Sequence, residues 1–193
     1  MIKFAIVLVT GMVITSGSLF ASESDTVPVV DYFRHALHLG VPNILLGQVS
    51  LKYEYRIGPR NGLVVGGSYG DWTSTKGYDF NLAYRRHRRE TSTGGFWGFF
   101  IRYADYESEY KEKVDDVTTV YPFTMNSFSI GPYIGQSWVT TSGLSITARL
   151  GYGYPFADFA WSHGKPSDHP GMVEGIIRFF EGFDGELSIG FCF

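Results

Sequence analysis

The sequence predicts an all-β chain that closes into an antiparallel transmembrane β-barrel of eight strands, with short turns at one end and longer segments at the other. Three observations carry that expectation. Polarity alternates with a period of two through seven separate stretches, the signature of strands with unlike faces. Aromatic residues reach 17% and glycine 24 residues while only 18% of the chain is charged, a balance suited to strands and tight turns. The N-terminus is built like an export signal.

That signal comes first along the chain. Lys3 supplies a positive start, Phe4 to Ile14 an apolar core, and Ser16 to Ala21 a stretch of mostly small residues before the polar Ser22-Glu23-Ser24-Asp25. Residues 1–21 are therefore expected to be a cleaved signal peptide, with residues 22–193 forming a single barrel domain. An uncleaved anchor is the alternative, but the apolar core is shorter than the ~20 residues that a spanning helix needs. Past Ala21 no apolar run reaches that length, so any membrane crossing falls to strands.

From Gly47 to Ile57, Val49, Leu51, Tyr53, Tyr55 and Ile57 share one parity against Gln48, Ser50, Lys52, Glu54 and Arg56. After the turn residues Gly58-Pro59-Arg60-Asn61-Gly62, Leu63, Val65 and Tyr69 share a face with Gly67. Tyr78, Phe80, Leu82 and Tyr84 alternate with Asp79, Asn81, Ala83 and Arg85; Trp97, Phe99, Ile101 and Tyr103 alternate with Gly98, Phe100, Arg102 and Ala104. Phe128, Ile130 and Ile134 oppose Ser129, Gly131, Tyr133 and Gly135, and the apolar row from Leu144 to Tyr154 opposes Ser145, Thr147, Arg149, Gly151 and Gly153. The last stretch sets Leu187, Ile189, Phe191 and Phe193 against Glu186, Ser188, Gly190 and Cys192.

Seven strands leave the two chain ends on opposite sides, whereas a barrel with both ends in the periplasm crosses an even number of times. Tyr32 to Val41 provides an eighth, Phe33, Leu37, Leu39 and Val41 alternating with Arg34, Ala36, His38 and Gly40, although His35 falls on the apolar parity. Val41-Pro42-Asn43 then reads as a tight external turn. Gly58 to Gly62, Arg86 to Gly95 and Thr140 to Gly143 become periplasmic, and Ala104 to Asn126 and Ala157 to Gly182 become long external loops. A rival register omits the first strand, divides the end at Phe183-Asp184-Gly185 and sends both long segments to the periplasm.

Alternation also suits a soluble barrel or sandwich, with the apolar face inside. The export signal, the aromatics toward strand ends and the mixture of glycine with charge on the polar face favour the inverted arrangement, in which apolar rows meet lipid. Lys52, Glu54, Arg56, Asp79, Arg85, Arg102, Arg149 and Glu186 then point inward as a mutually neutralising polar network, with small Gly and Ser positions making room for them.

The final segment Glu186-Leu187-Ser188-Ile189-Gly190-Phe191-Cys192-Phe193 resembles the C-terminal strand of bacterial outer-membrane proteins. That resemblance implies a location in the outer membrane of a diderm bacterium, with Leu187, Ile189, Phe191 and the terminal Phe193 read by the barrel assembly machinery. Leu45-Leu46-Gly47 leading into Ser50-Leu51-Lys52-Tyr53-Glu54-Tyr55-Arg56 is similar to small bacterial barrels of unassigned function. The OmpA, OmpX and OmpW groups share the general architecture, and no motif assigns the chain to one of them.

Functional motifs are sparse. Asp105 to Asp116 holds six carboxylates with Lys111 and Lys113, but lacks the ligand offsets and turning glycine of a calcium loop. Ser162, His163 and Asp168 have the residue types of a hydrolytic triad without any surrounding motif, and His163 with His169 lacks a third metal ligand. Met172, Val173, Ile176, Ile177 and Phe180 recur at helical spacing, suiting a segment that lies on the membrane or caps the barrel. Arg85-Arg86-His87-Arg88-Arg89 is a local basic run, but a net charge of -3 supplies no broad field for nucleic acid. Cys192 is the single cysteine, so no intrachain disulfide forms.

The expected function is a structural or surface-interaction role through the external loops, with no catalytic site, no cofactor and no metal. The expected partners are outer-membrane lipid, the assembly machinery and a surface ligand or host partner. Two alternatives stand beside it: a narrow porin-like conduit for small molecules, and a lipid A-modifying hydrolase.

Overall fold

The computed structural model describes residues 33–41, 47–72, 75–114, 117–162 and 170–193. The expected signal peptide, Tyr32, and Pro42 and Asn43 of the expected external turn lie outside these residues. Nine strand segments and one helix follow in order: β1 (His35–Gly40), β2 (Gln48–Arg56), β3 (Asn61–Trp72), β4 (Thr75–His87), β5 (Gly94–Val114), β6 (Val117–Val139), β7 (Leu144–Tyr152), β8 (Tyr154–Trp161), α1 (Pro170–Glu181) and β9 (Phe183–Cys192).

Every pairing is antiparallel and each of β1 to β6 pairs with its successor. β7 and β8 lie end to end along β6, through Tyr133↔Gly151 and Ile130↔Tyr154, and together occupy one position in the wall. β9 joins β7 to β1, through Ala148↔Leu187 and Leu37↔Phe191, which closes the sheet into an eight-stranded barrel. Closure through β7, β9 and β1 leaves those strands without a free edge, and among the described residues only β8 keeps one side without a strand neighbour.

Side-chain direction is inside out. Val49, Phe80, Ile134 and Phe191 are among a continuous outer set of large apolar residues, with Ile134 68% and Phe80 62% exposed, while Glu54, Arg56, Arg85 and Arg149 are buried in the interior. His35, which broke the apolar parity, sits among rings instead: its centroid lies 5.5 Å from Phe193 and 5.4 Å from Tyr55, and Nδ1 is 2.6 Å from the Tyr53 hydroxyl. An aromatic setting and a hydroxyl partner suit a ring with both an apolar body and a polar edge.

The bends at 57–60, 88–93 and the turn closed by Gly143 share one end of the barrel with the chain terminus, where His35 and Phe193 exchange backbone hydrogen bonds of 2.9 and 2.8 Å. Gly143 adopts φ 90°, a left-handed conformation that glycine takes without a Cβ penalty.

The opposite end corrects two expectations. Ala104 to Asn126 is not a loop: β5 and β6 stay paired from Gly94↔Ser137 to Val114↔Val117. β4 follows only to Ser108, and β8 only to Phe123, so the hairpin continues about 20 Å past its last strand neighbours among the described residues, at ~3.3 Å per residue. Ala157 to Gly182 is likewise not open loop, since β8 continues to Trp161 and α1 covers Pro170–Glu181. The expected strand ending at Tyr154 is interrupted at Gly153, whose N–H donates to the Gly182 carbonyl at 2.7 Å rather than to the ladder.

Candidate functional site

Two regions of the interior hold the groups with chemical potential: a charged stack in the body of the barrel and a cavity near the hairpin end. Both arise from the same alternation, which turns the even-numbered residues of β2, β3 and β5 and the odd-numbered residues of β4 inward.

The lower part of the stack centres on Glu54. Its Oε2 lies 2.5 Å from Arg85 Nη1 and its Oε1 2.8 Å from His87 Nε2, with Arg56 Nε 3.8 Å away. Arg56 Nη2 also meets His87 Nδ1 at 2.8 Å. Arginine only donates, so Nδ1 must accept and the His87 proton resides on Nε2, where it is given to Glu54. Arg85 is 1% exposed and lies over the Phe96 ring at 4.0 Å. Val64, Ala83, Phe96, Phe100 and Tyr133 form an apolar cluster beside it, which a filled narrow barrel needs as much as charge.

A second group lies further along the axis. Lys52 Nζ pairs with Glu186 Oε2 at 2.9 Å, and Arg149 Nη2 is 2.9 Å from Asp184. Arg149 Nε sits 3.0 Å from Glu186 Oε2, close enough for charge pairing. Two cations meet two carboxylates, so the group is internally neutral. Gly66, opposite one of these long side chains, is spatially required: a Cβ there would fall 2.5 Å from Lys52 Cγ and 2.9 Å from the Leu51 carbonyl, whereas one at Gly62 would meet the end of the Glu54 side chain at 2.8 Å.

The remaining two charged residues of the expected network lie apart from these groups. Asp79 accepts a hydrogen bond from the Ser68 hydroxyl. Arg102 turns toward the hairpin end, where it donates to the Glu181 carboxylate at 3.3 Å and to the carbonyls of Glu181 and Phe183. Glu181 also accepts from Ser127 at 2.9 Å, which ties the last turn of α1 to β5 and β6.

His87 and Asp184 belong to the charged stack but were not expected there. His87 sits in the basic run, whose alternation turns Arg85 and His87 inward and leaves Arg86, Arg88 and Arg89 exposed. The parity that placed Arg85 inside places His87 there too. Asp184 looked like part of a turn, yet it pairs with Gly151 in register and faces inward beside Arg149. Of the triad residues, Ser162 is exposed, and His163 and Asp168 lie outside the described residues, as does His169 of the metal pair.

The cavity opens above this stack. Tyr106, Tyr110, Phe123, Met125 and Ile177 give it apolar walls, and Glu181 closes one side; its volume is about 390 Å³. Trp161 reinforces it, packed 4.9 Å from Phe123 and donating through Nε1 to Glu174 at 2.9 Å. α1 divides its residues between two environments. Ile177 and Glu181 face the cavity, whereas Met172, Ile176, Phe179 and Phe180 are exposed, and Phe179 meets the outward Tyr152 and Phe183 rings at 5.9 and 5.3 Å. No group of three or more histidine, cysteine or acidic residues arranged to hold a metal occurs among the described residues.

An apolar exterior, paired charges within and a closed antiparallel wall define a small inside-out β-barrel. The family model described as "Protein of unknown function (DUF3575)" matches residues 17–163, and the chain belongs to that family. α1 and β9, with Asp184 and Glu186, lie beyond the matched stretch. No curated protein and no solved structure matches the chain.

Proposed function

We propose that this protein is an integral outer-membrane barrel of a diderm bacterium, with both termini periplasmic and a non-catalytic structural or surface-interaction role exercised through the β5–β6 hairpin. The observation that carries this reading is the reversal of polarity: large apolar side chains are exposed around the wall while Arg85, Glu54 and Arg149 are buried within it. In water that reversal would leave an apolar patch far beyond the few hundred Å² typical of monomers, and lipid removes the cost. The terminal Phe193 and its alternating strand suit recognition by the assembly machinery. The hairpin extends beyond the apolar wall, with Glu107, Glu109 and Lys111 exposed on its β5 arm, and offers the surface for a ligand or host partner.

Fractionation followed by gel electrophoresis with and without boiling tests the location. The protein is expected in the outer-membrane fraction, with a compact unboiled band; a soluble periplasmic protein with no heat shift overturns it. External protease on intact cells tests the orientation, cleavage within residues 109–122 being expected.

A narrow conduit is the second reading, favoured by the cavity at the hairpin end. The ion pairs beneath it oppose continuous passage, so planar-bilayer recording is expected to give no stable open level. A sustained conductance would replace the structural role with transport.

A further inference from the structure

We infer that the cavity between α1 and the inner faces of β5 and β6 is a binding site for a small amphiphile with an apolar body and an uncharged or cationic polar head. Its volume of about 390 Å³ falls within the roughly 300–1,000 Å³ common to small-molecule sites. The walls divide by chemistry. Phe123, Met125 and Ile177 form the apolar side with the Tyr106 and Tyr110 rings, and these side chains pack on one another in a single cluster, so the wall is preformed. The lining also includes the Thr75 and Ser108 hydroxyls, bonded to each other at 2.7 Å, and Gln48, whose amide donates to Ser68 at 2.6 Å.

Charge selects the head group. Among the described residues the cavity lining holds no lysine or arginine; Glu181 is its inward carboxylate, while Glu109, also on the lining, belongs to the outward row and lies 4.0 Å from Lys111. Arg102 lies nearby, but its guanidinium is directed at Glu181 and the carbonyls of Glu181 and Phe183. A carboxylate or phosphate entering here would approach Glu181 with the nearby Arg102 already engaged by it, whereas an alcohol or ammonium would meet an acceptor. The site therefore discriminates against fatty acids and in favour of alkyl alcohols and amines of the same length. Glu109 borders both the cavity and the outer face of the hairpin, but the inference rests on the inward wall and does not require that outer face to bind anything.

The test uses the barrel in lipid nanodiscs, with decanol, decylammonium and decanoate as probes and native mass spectrometry counting bound molecules. One saturable equivalent of decanol and of decylammonium is expected, with decanoate at least tenfold weaker. Met125→Trp fills the cavity from β6 and Ile177→Trp from α1; each is expected to weaken both probes at least tenfold while retaining the heat-modifiable band. Using both variants covers the case in which one of them fails to fold. Absence of a saturable equivalent on the unaltered protein, decanoate binding as tightly as decylammonium, or undiminished binding in a folded variant would each overturn the inference.

Discussion

Replacing Glu54 by alanine probes the charged stack most directly. The substitution removes the acceptor for Arg85 Nη1 at 2.5 Å and for His87 Nε2 at 2.8 Å, leaving a guanidinium that is 1% exposed. The Phe96 ring at 4.0 Å remains, but a cation–π contact contributes about 2 kcal/mol when desolvated, less than the lost pair. Stranding one member of a buried ion pair costs roughly 3–5 kcal/mol, which sets the expected loss for Glu54→Ala. Glu54→Gln keeps an acceptor and loses only the charge-assisted part, about 1.5–3 kcal/mol. Arg85→Ala is expected to cost less than Glu54→Ala, because Glu54 keeps Arg56 and His87. The double variant is expected to fall short of the sum by about 2 kcal/mol, within the coupling range of contacting residues. Reversible urea unfolding in lipid vesicles, followed by the heat-modifiable band, measures all four proteins. A loss below about 1 kcal/mol for Glu54→Ala, or additivity of the two single variants within roughly 0.5 kcal/mol, would refute the reasoning that this pair is desolvated and coupled.

Steric demand in the lumen can be read by contrast. Gly66→Leu places branched volume on Lys52 and is expected to abolish the compact band, whereas Gly58→Ala, with nothing within 4 Å of its added Cβ, should stay within about 0.5 kcal/mol of the parent by the same unfolding assay. Phe193→Ser is expected to lower the amount of assembled barrel in cells severalfold while leaving refolding of the purified chain in vesicles nearly unchanged; equal yields by immunoblot would detach Phe193 from assembly. Replacing residues 111–120 by an Asn-Gly turn shortens the hairpin above its last strand neighbours and should preserve the heat shift, because that part contributes no wall pairing.

Much of the wall was legible in the sequence because a strand with two unlike solvents writes its orientation into every second residue. Val49 to Ile57 and Leu187 to Phe193 carry that pattern in full, and the eighth strand followed from counting crossings. The tall hairpin was missed for the same reason. Beyond Tyr103 the outward row becomes Asp105, Glu107, Glu109 and Lys111 and the inward row Tyr106, Ser108 and Tyr110, so alternation persists with its sense reversed. Charge on the outer face signals departure from the apolar zone, not the end of the strand. Pairing partners were hidden more deeply. Lys52 and Glu186 are 134 positions apart and meet only because β9 closes the sheet beside β1, a register that no local window contains. The aromatic core of Phe96, Phe100 and Tyr133 was equally hidden, since a filled lumen asks for bulky residues on the parity that otherwise reads as polar.

α1 gives this wall a mechanical asymmetry. Each barrel stave is held by ladders on both sides, so displacing one means breaking backbone hydrogen bonds with two neighbours. Among the described residues, the edge of β8 turned away from β6 has no strand beside it, and α1 packs against β8 with its own backbone bonds satisfied internally. Its ties to the sheet are side-chain contacts: Trp161 to Glu174, Arg178 over Phe159 at 5.1 Å, and Arg102 and Ser127 to Glu181. This panel can shift by exchanging rotamers while every ladder stays intact. Compliance in an otherwise rigid cylinder is thereby concentrated along one seam, next to the cavity.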